Sequence, residues 1–258
     1  MSRVLERLQS QVRRGFAARS ETCETAAFRV HIWHSPDAFY RNRALALRQP
    51  ESWASAIAEM EAVFARAARV PRIELFEELW PELGPALEQA GWVCEACAPV
   101  MVLDAGGLAA GPAADGVALL GEGTARGLVR EFIRAVEAVF GMPPSAETGG
   151  EIDVLMRDLA GGATLCAASL VDGRPVSGGS LIGLGAEAEL AGVWTAEDHR
   201  RQGRAEAVCR ALLGHFFGHG GELAWLSAGD DDSERLYRRL GFVPVGTQLN
   251  YARLPPEP

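Results

Sequence analysis

Apolar residues recur at helical spacing in the first half of the chain. In residues 51–69 the apolar positions that share one helical face are Trp53, Ile57, Met60, Val63 and Phe64. Residues 3–18 form a second expected helix. Between these helices, apolar and polar residues partly alternate at 27–33 and 44–47. Because successive side chains of a strand point to opposite faces, this alternation predicts two strands.

The segment 71–103 is predicted to form a strand, a helix and two further strands. Pro81 lies early in the helix, where a missing N–H is harmless, and Gly91 lies where a helix ends in the left-handed conformation. The cysteines of "CEAC" (94–97) fall in a strand. A structural zinc site needs a second ligand pair at a matching spacing, so we interpret them as semi-buried strand cysteines.

The second half alternates between strands and helices as a mixed α/β unit does. After the strand "GVALL", Thr124 is expected to cap a helix, and a second helix is expected to stop at Gly161 and Gly162. Three extended runs follow, and the turn "DGRP" between the first two predicts a hairpin. A helix, a strand, a helix capped by an Asp of the 230–232 group, and a closing strand pair complete the order.

A stretch rich in Gly and Ala, "DAGGLAAGPAADG", separates the two halves. We therefore expect an N-terminal domain at 1–104, a linker at 105–115 and a C-terminal domain at 116–258. The segments "RIELFEELWPELGPALEQAGW" and "ELAWLSAGDDDSERLYRRLGF" share a strand, a helix, a glycine and an aromatic residue in the same order. This similarity suggests a duplicated unit whose first copy has lost its site.

Composition narrows the class of protein. The chain has 258 residues, 48% of them hydrophobic, which is ample for a packed core. Its net charge of −9 argues against a general nucleic-acid binder and is compatible with cationic amine substrates. We find no membrane span and no signal peptide, and the five cysteines form an odd set without a disulfide spacing. These features favour a cytoplasmic protein.

Three arginines lie where an apolar strand gives way to a helix, in "RRQGRA". Helix starts favour acidic residues because the free N–H groups make that end positive, so Arg200, Arg201 and Arg204 indicate a bound anion. Gly203 and Ala205 are small enough to let a diphosphate approach the backbone. A solvated basic helix start is the alternative interpretation.

Two motifs together resemble the GNAT superfamily of N-acetyltransferases. The first is Arg or Gln, two residues, Gly, one residue, then Gly or Ala, and it matches Arg200, Gly203 and Ala205. The second, at the end of the last helix, matches Leu236, Tyr237, Leu240, Gly241 and Phe242. The resemblance covers residues 116–253. It implies an α/β (α+β) fold with a mixed, mostly antiparallel sheet flanked by helices, in tandem with a degenerate N-terminal copy.

The resemblance also implies acetyl-coenzyme A as cosubstrate and no metal. The diphosphate would lie on the backbone amides of 201–205, and the pantetheine arm would pair with the main chain where the fourth strand splays from its neighbour. The residues implied to bind the coenzyme are Val193, Thr195, Arg200, Arg201, Gln202, Gly203, Arg204, Ala205 and Ser233.

Two residues are implied to be catalytic. Tyr237 matches the tyrosine that protonates the departing thiolate in many members. Glu189 lies eleven residues before Arg200, the spacing of the catalytic glutamate in the histone-modifying branch, although a water chain is an alternative base. Strand parity is expected to put Glu189, Ala191, Val193 and Thr195 on one face. Two positions depart from the family pattern: Glu197 replaces a common Pro, and Asp230 replaces a common Asn.

The function implied is transfer of an acetyl group directly to a primary amine of a small molecule or peptide. A non-catalytic acyl-coenzyme A sensor is the alternative, and transfer of a longer acyl or aminoacyl group is a third. The acceptor would be held by the first helices and the loop 140–150, with Phe132, Phe140, Met142 and Trp194 as candidate lining residues or ordinary packing residues. No nucleic acid or membrane partner is expected, and the oligomeric state stays open.

Overall fold

The computed structural model describes residues 2–17, 20–33, 42–111, 116–142 and 150–254. The helices are α1 (Ser2–Ala17), α2 (Trp53–Arg66), α3 (Leu83–Gln89), α4 (Arg126–Phe140), α5 (Gly150–Ala160), α6 (Arg204–Gly218) and α7 (Asp231–Leu240). The strands are β1 (Glu21–Glu24), β2 (Phe28–Ile32), β3 (Arg43–Ala46), β4 (Arg72–Phe76), β5 (Val93–Asp104), β6 (Val117–Leu120), β7 (Thr164–Val171), β8 (Arg174–Ile182), β9 (Glu187–Thr195), β10 (Leu223–Ser227) and β11 (Val243–Ala252).

The chain forms two compact units. Unit 1 consists of Met1–Val100 and Pro244–Pro258, and unit 2 consists of Met101–Val243. Each unit combines helices with a largely antiparallel sheet, so the mixed α/β fold expected from the sequence is confirmed.

Unit 1 has the strand order β1-β2-β3-β4-β11. Its neighbouring strands pair in antiparallel fashion except β3 and β4, which are parallel, with Ala44 opposite Ile73. Ser52 is the N-cap residue of α2, and its side chain accepts a hydrogen bond from the Ser55 amide (3.4 Å). The apolar face predicted for this helix is confirmed, because Ile57, Met60 and other members of that face are buried against the sheet.

Unit 2 has the strand order β10-β9-β8-β7-β6, antiparallel except for the parallel pair β9 and β10. The hairpin predicted at "DGRP" is confirmed, with Val171 opposite Arg174 and positive φ at Asp172 (49°) and Gly173 (74°). Two apolar clusters cover the two faces of this sheet. One contains residues of α6 and α7, and the other contains residues of α4 and α5.

Each unit is completed by a strand from the other half of the sequence. Strand β11 pairs with β4, so that Tyr251 lies opposite Ile73 and is buried in the core of unit 1. The end of β5 belongs to unit 2, where Met101 and Leu103 join the core. The expected domain boundaries assign these strands differently, because strand partners are set by long-range pairing that local sequence patterns do not contain.

The expected linker 105–115 is anchored to unit 2 in its described part. The amide of Ala109 donates to the Leu240 carbonyl (3.0 Å), and the Ala109 carbonyl accepts from Arg210 Nη1 (2.6 Å). Residues 112–115 lie outside the described residues. The boundaries of the two domains therefore stay predictions.

Several local predictions are wrong. The closing strand pair is one strand, β11, because Gly246 continues the extended chain instead of forming a turn, and the two strands expected after Gly91 are likewise the single strand β5. Thr124 does not cap α4. Its hydroxyl accepts from the Gly121 amide (3.0 Å), and Ala125 is the N-cap residue. Strand β1 was not predicted.

The cysteines of "CEAC" lie in a strand as predicted, but they are exposed instead of semi-buried. They belong to the first five residues of β5, all of which are exposed. None of the helices in the described parts of the chain combines the length and the apolar composition needed to cross a lipid bilayer.

The ends of α3 and α7 have the same geometry. Gly91 (φ 80°) and Gly241 (φ 106°) are left-handed, as predicted for Gly91. The next residue in each case donates its amide back to the helix: Trp92 to the Leu87 carbonyl and Phe242 to the Tyr237 carbonyl, both at 3.0 Å. Leu87 of unit 1 and Tyr237 of unit 2 thus occupy the same position, four residues before the left-handed glycine of their helix ends.

We predict that His31 makes the protein less stable in acid. Burial, with the nearby charges of Arg29 and Arg43, lowers the pKa of His31 to about 4. Between pH 6.5 and pH 4 the unfolded chain binds a proton at this position and the folded chain does not, so stability is lost as the pH falls, by up to about 3 kcal/mol. Urea unfolding at pH 7 and pH 4.5 gives the loss of stability for the unchanged chain and for His31→Gln. The difference between the two losses is the contribution of His31, because both proteins have the same carboxylates. An identical pH dependence in the two proteins would contradict the prediction.

Candidate functional site

A cleft of about 540 Å³ opens in unit 2 between the end of β9, the start of α6 and one face of α7. This volume is in the range of small-molecule sites. The residues that line the cleft are Val193, Trp194, Thr195, His199, Arg200, Arg201, Gly203, Arg204, Ala205, Glu206, Asp230, Asp232, Ser233, Arg235, Leu236, Tyr237 and Arg239. Of the predicted site residues, Gln202 and Glu189 are outside this lining.

The backbone before α6 leaves its first amides open to the cleft. Arg201 (φ 61°) and Gly203 (φ 74°) are both left-handed, and Gly203 is the N-cap residue. A glycine has no side chain to cap the helix, and no side-chain cap is formed. In the described part of the chain, Ala207 is the first residue of α6 whose amide donates to a backbone carbonyl, that of Gly203 (3.0 Å). The preceding N–H groups therefore suit an anionic ligand.

The arginines of "RRQGRA" are held in different ways. Arg200 is exposed and donates through Nε to the Thr195 carbonyl (3.2 Å). Arg204 is half-buried and donates through Nη1 to Ser169 Oγ (2.9 Å) and through Nε to Gln202 Oε1 (3.2 Å). Gln202 thus contacts Arg204, which lines the cleft, but Gln202 is not itself a lining residue.

Strands β9 and β10 separate beside the cleft. Their parallel pairing runs from Leu223 opposite Glu187 to Trp225 opposite Glu189. Strand β9 continues to Thr195, and no described residue of β10 pairs with this last part. The edge of β9 at Val193 is therefore not covered by a described residue of β10, and at Thr195 the carbonyl accepts the hydrogen bond from Arg200.

A family model decides how this geometry is interpreted. Residues 129–242 match the model of the Acetyltransferase (GNAT) family. This segment of the chain is a GNAT domain. The match includes the three arginines, Gly203 and Tyr237, and it confirms the resemblance found in the sequence.

Solved structures support the GNAT fold over nearly the whole chain. A GCN5-related N-acetyltransferase from Kribbella flavida is 23% identical, with a TM-score of 0.78 over 98% of this chain and 96% of that chain. One from Sphaerobacter thermophilus is 16% identical, with a TM-score of 0.64 over 88% and 76%. A tandem GNAT protein from the clavulanic acid biosynthesis pathway is 16% identical, with a TM-score of 0.58 over 89% and 79%. A search of curated protein sequences gives no match.

A β-bulge lies in β9 at the cleft. Between the pairs Gly178–Trp194 and Ser180–Ala191, Gly179 alone faces the two residues Gly192 and Val193 of β9. Gly192 is left-handed (φ 58°), which is the geometry of a bulge with glycine in its first position. The extra residue shifts the side-chain alternation of the strand by one.

The bulge contradicts the expected strand parity. In a regular strand, residues four positions apart lie on the same face. Leu190, however, belongs to the cluster of α6, whereas Trp194 belongs to the cluster of α4. Val193 packs against the α6 cluster. Glu189, which alternates with Leu190, therefore lies on the α4 face, opposite the face of Val193. The shared face predicted for these residues is wrong.

Tyr237 is buried, with 7% of its surface exposed, and it lines the cleft. Burial is the main cause that raises the pKa of Tyr237 above its ordinary value, with smaller contributions from Cys209 and Asp230. The hydroxyl is thus a neutral hydrogen-bond donor throughout the physiological pH range.

Ser233 is engaged in the cap of α7. Its amide donates to Asp230 Oδ1 (2.7 Å), which lowers the pKa of Asp230, and its hydroxyl donates to the Asp230 carbonyl (2.8 Å). The Asp cap predicted for this helix is confirmed as Asp230. Ser233 lines the cleft of the GNAT domain, but both of its polar groups already bond within the cap.

The described part of the GNAT domain contains two cysteines, and both are buried. Burial raises the pKa of the Cys209 thiol to about 12 and that of Cys166 to about 11. The nucleophilic form of cysteine is the thiolate, so neither residue is suited to form an acyl-enzyme.

Arg235, Arg239 and His199 line the cleft but were not among the predicted site residues. The two arginines lie four residues apart in α7, so helical spacing was a signal that they share a face. Which face meets the cleft is decided by the packing of Tyr237 and Leu240 into the core.

Of the described acceptor candidates, Phe132 and Trp194 are buried in the α4 cluster, and Phe140 is exposed. The rings of Phe132 and Trp194 meet edge to face with centroids 5.9 Å apart. The acceptor loop expected at 140–150 lies outside the described residues at 143–149.

We predict opposite stability effects for two glycines of this region. A Cβ at Gly203 would meet no atom within 4 Å, so Gly203→Ala should cost about 1 kcal/mol from the left-handed backbone alone. Gly214 lies inside α6 and also has open space, so the matched variant Gly214→Ala should stabilise the protein by about 0.5–1 kcal/mol. Urea unfolding of both variants measures the difference. Equal effects would show that Gly203 is not left-handed.

Proposed function

We propose that the protein is an acetyl-coenzyme A-dependent N-acetyltransferase that transfers the acetyl group directly to a primary amine of a small molecule or peptide. The observation that carries the proposal is the row of open amides at the start of α6, within a GNAT domain. Membership of the GNAT family is the reason for proposing acetyl-coenzyme A as the donor and a primary amine as the acceptor.

The start of α6 suits a diphosphate. Its amides have no cap, and Arg200, Arg201 and Arg204 add positive charge at the same end of the cleft. Anions are favoured at helix starts because the peptide dipoles and the N–H groups act together. Bound phosphates would remove the unfavourable interaction between these arginines and the helix dipole.

The open edge of β9 suits the pantetheine arm. Main-chain groups of Val193 and Thr195 lie beyond the point where β10 separates, so an extended chain with amide groups can pair there as a strand does. The reacting thioester would then lie near Tyr237 and the bulge at Gly192.

The proposed reaction is a direct transfer. The neutral amine nitrogen attacks the thioester carbonyl, a C–N bond forms, and the C–S bond breaks. Tyr237 donates its hydroxyl hydrogen to the departing sulfur. Glu189, or a water chain, takes the proton lost by the amine. The location of Glu189 on the α4 face means that the amine would approach from that face, opposite Val193.

Unit 1 is proposed to be a degenerate copy without a coenzyme site. The start of α2 is already capped by Ser52, and the counterpart of Tyr237 is the buried Leu87, which has no hydroxyl. The rings of Trp53 and Trp80 meet edge to face at 6.2 Å, between the starts of α2 and α3. The Gln49 side chain donates to Glu82 Oε2 (2.8 Å) across the same gap.

A non-catalytic acyl-coenzyme A sensor uses the same cleft and is the second candidate. Its supporting observation is Asp230, which replaces the family's common asparagine and brings a negative charge to the lining of the cleft. Loss of turnover in the site variants below separates the two functions, because a sensor has no turnover to lose.

We predict that calorimetry detects one acetyl-coenzyme A per chain. The α6 amides provide one site, and Ser52 closes the corresponding position of unit 1. Gly203→Val should weaken binding at least tenfold, because its side chain would project toward the phosphates. Two sites per chain would contradict the assignment of unit 1, and no binding at millimolar coenzyme would contradict the proposed function.

We predict that Tyr237→Phe and Glu189→Gln lower kcat by about 10- to 100-fold while the affinity for the coenzyme stays nearly constant. Steady-state kinetics with thiol release as readout, together with calorimetry, separates these quantities. Tyr251→Phe is the matched control. Its hydroxyl donates to Glu88 in unit 1 (3.0 Å), so it should cost stability and leave kcat unchanged.

The pH profile adds a second readout. Because the pKa of Tyr237 is raised, its proton is retained up to at least pH 10, and an alkaline loss of activity below that pH should not arise from Tyr237. In Glu189→Gln the acidic limb should move if Glu189 is the base. Unchanged kcat in both variants would exclude their catalytic roles.

A further inference from the structure

Helix α7 presents two arginines to the cleft. Arg235 and Arg239 are four residues apart, so they share a helix face, and both line the cleft. Like charges at this spacing repel each other and reduce helix stability. Arg238, between them, points elsewhere: it pairs with Glu234 (2.6 Å) and does not line the cleft.

The two guanidinium groups are exposed and only partly neutralised. Arg235 pairs with Asp232, and their side chains are 63% and 71% exposed, so water weakens the pair. Arg239 Nε lies 3.9 Å from Glu206 Oε2, at the outer limit of an ion pair. Arg239 Nη1 donates to the Arg235 carbonyl (3.2 Å), which holds its side chain along the helix.

Two of the three acids of the cleft, Glu206 and Asp230, already have partners other than Arg235 and Arg239. Glu206 Oε1 accepts two hydrogen bonds from Arg210, at 3.0 Å from Nε and 2.8 Å from Nη2. Asp230 accepts the amide of Ser233 in the cap of α7. The lining contains five arginines and three acids, so it has an excess of positive charge that an anionic ligand would neutralise.

The start of α6 accounts for only part of this charge. Its amides and its neighbouring arginines suit a diphosphate, whereas Arg235 and Arg239 belong to a different helix, α7. Coenzyme A carries, besides its diphosphate, a phosphate monoester on the adenosine ribose, which bears close to two charges at neutral pH. Guanidinium groups match phosphate oxygens in geometry and charge.

We propose that Arg235 and Arg239 bind the ribose phosphate of the coenzyme and make the protein select coenzyme A over its 3′-dephospho form. The proposal rests on the proposed function, because it concerns the same ligand in the same cleft. Helix α7, which also carries Tyr237, would thus contribute to the selection of the coenzyme.

The test compares acetyl-coenzyme A with acetyl-3′-dephospho-coenzyme A by calorimetry. The unchanged chain should bind the phosphorylated form about 10- to 100-fold more tightly, as expected for charge-assisted hydrogen bonds. The double variant Arg235→Gln/Arg239→Gln should bind both forms with the affinity that the unchanged chain has for the dephospho form. The preference should also shrink as salt is raised, because these side chains are exposed.

The control is Arg238→Gln, which removes one positive charge from the same helix at a position outside the cleft lining and should keep the preference. The double variant Arg235→Lys/Arg239→Lys keeps the charges and should keep part of the preference for the phosphorylated form. This result would show that the glutamine variant loses the preference because it lacks the charges and not because it is unfolded. The inference is overturned if the unchanged chain shows no preference, if the double variant keeps it, or if the variant loses affinity for both forms equally. It is also overturned if the double variant raises KM for the amine only. If neither form binds to the unchanged chain, the proposed function itself is wrong.

Discussion

The unpaired amides at the start of α6 are the constraint on which the site of unit 2 depends. A helix start leaves N–H groups without partners, and here Gly203 brings no side chain to satisfy them. The helix cannot turn away, because Val208, Leu212 and Phe216 anchor it in the core and each contributes about 1.5–3 kcal/mol of apolar burial. Packing therefore holds these N–H groups at the cleft, where anionic oxygens of a ligand would satisfy them.

The bulge at Gly192 lets one strand serve both faces of the sheet. Before the bulge, Leu190 packs under α6. After it, Val193 takes that face and Trp194 turns to α4. The close packing on the α4 side leaves no room for a side chain at Gly178, where a Cβ would lie 2.6 Å from Phe132 and 2.8 Å from Trp194. The side chains of Val193 and Glu189 are thus separated onto two faces of one strand.

Local chemistry was predictable from the sequence, and long-range pairing was not. The left-handed glycines, the cap at Asp230, the apolar face of α2 and the hairpin at Gly173 each depend on a few neighbouring residues, and the structure has all of them. The bulge and the continuous strand β11 depend on contacts with distant residues. The same division holds in the site. "RRQGRA" was visible as a motif, whereas the cleft-facing arginines of α7 required the packing of Tyr237 to be known.

The exchange of β5 and β11 has a consequence for biosynthesis. Leu249 and Tyr251 belong to the core of unit 1, yet they leave the ribosome long after Phe28 and Phe64, with which they share that core. The first unit to be translated therefore cannot finish folding first. The β4–β11 contacts, which span more than 170 positions, slow the search for the native state, because a long loop must close before any of them stabilises the chain. Until then the nascent N-terminal sheet exposes the edge of β4, which is a surface that molecular chaperones recognise in incomplete sheets.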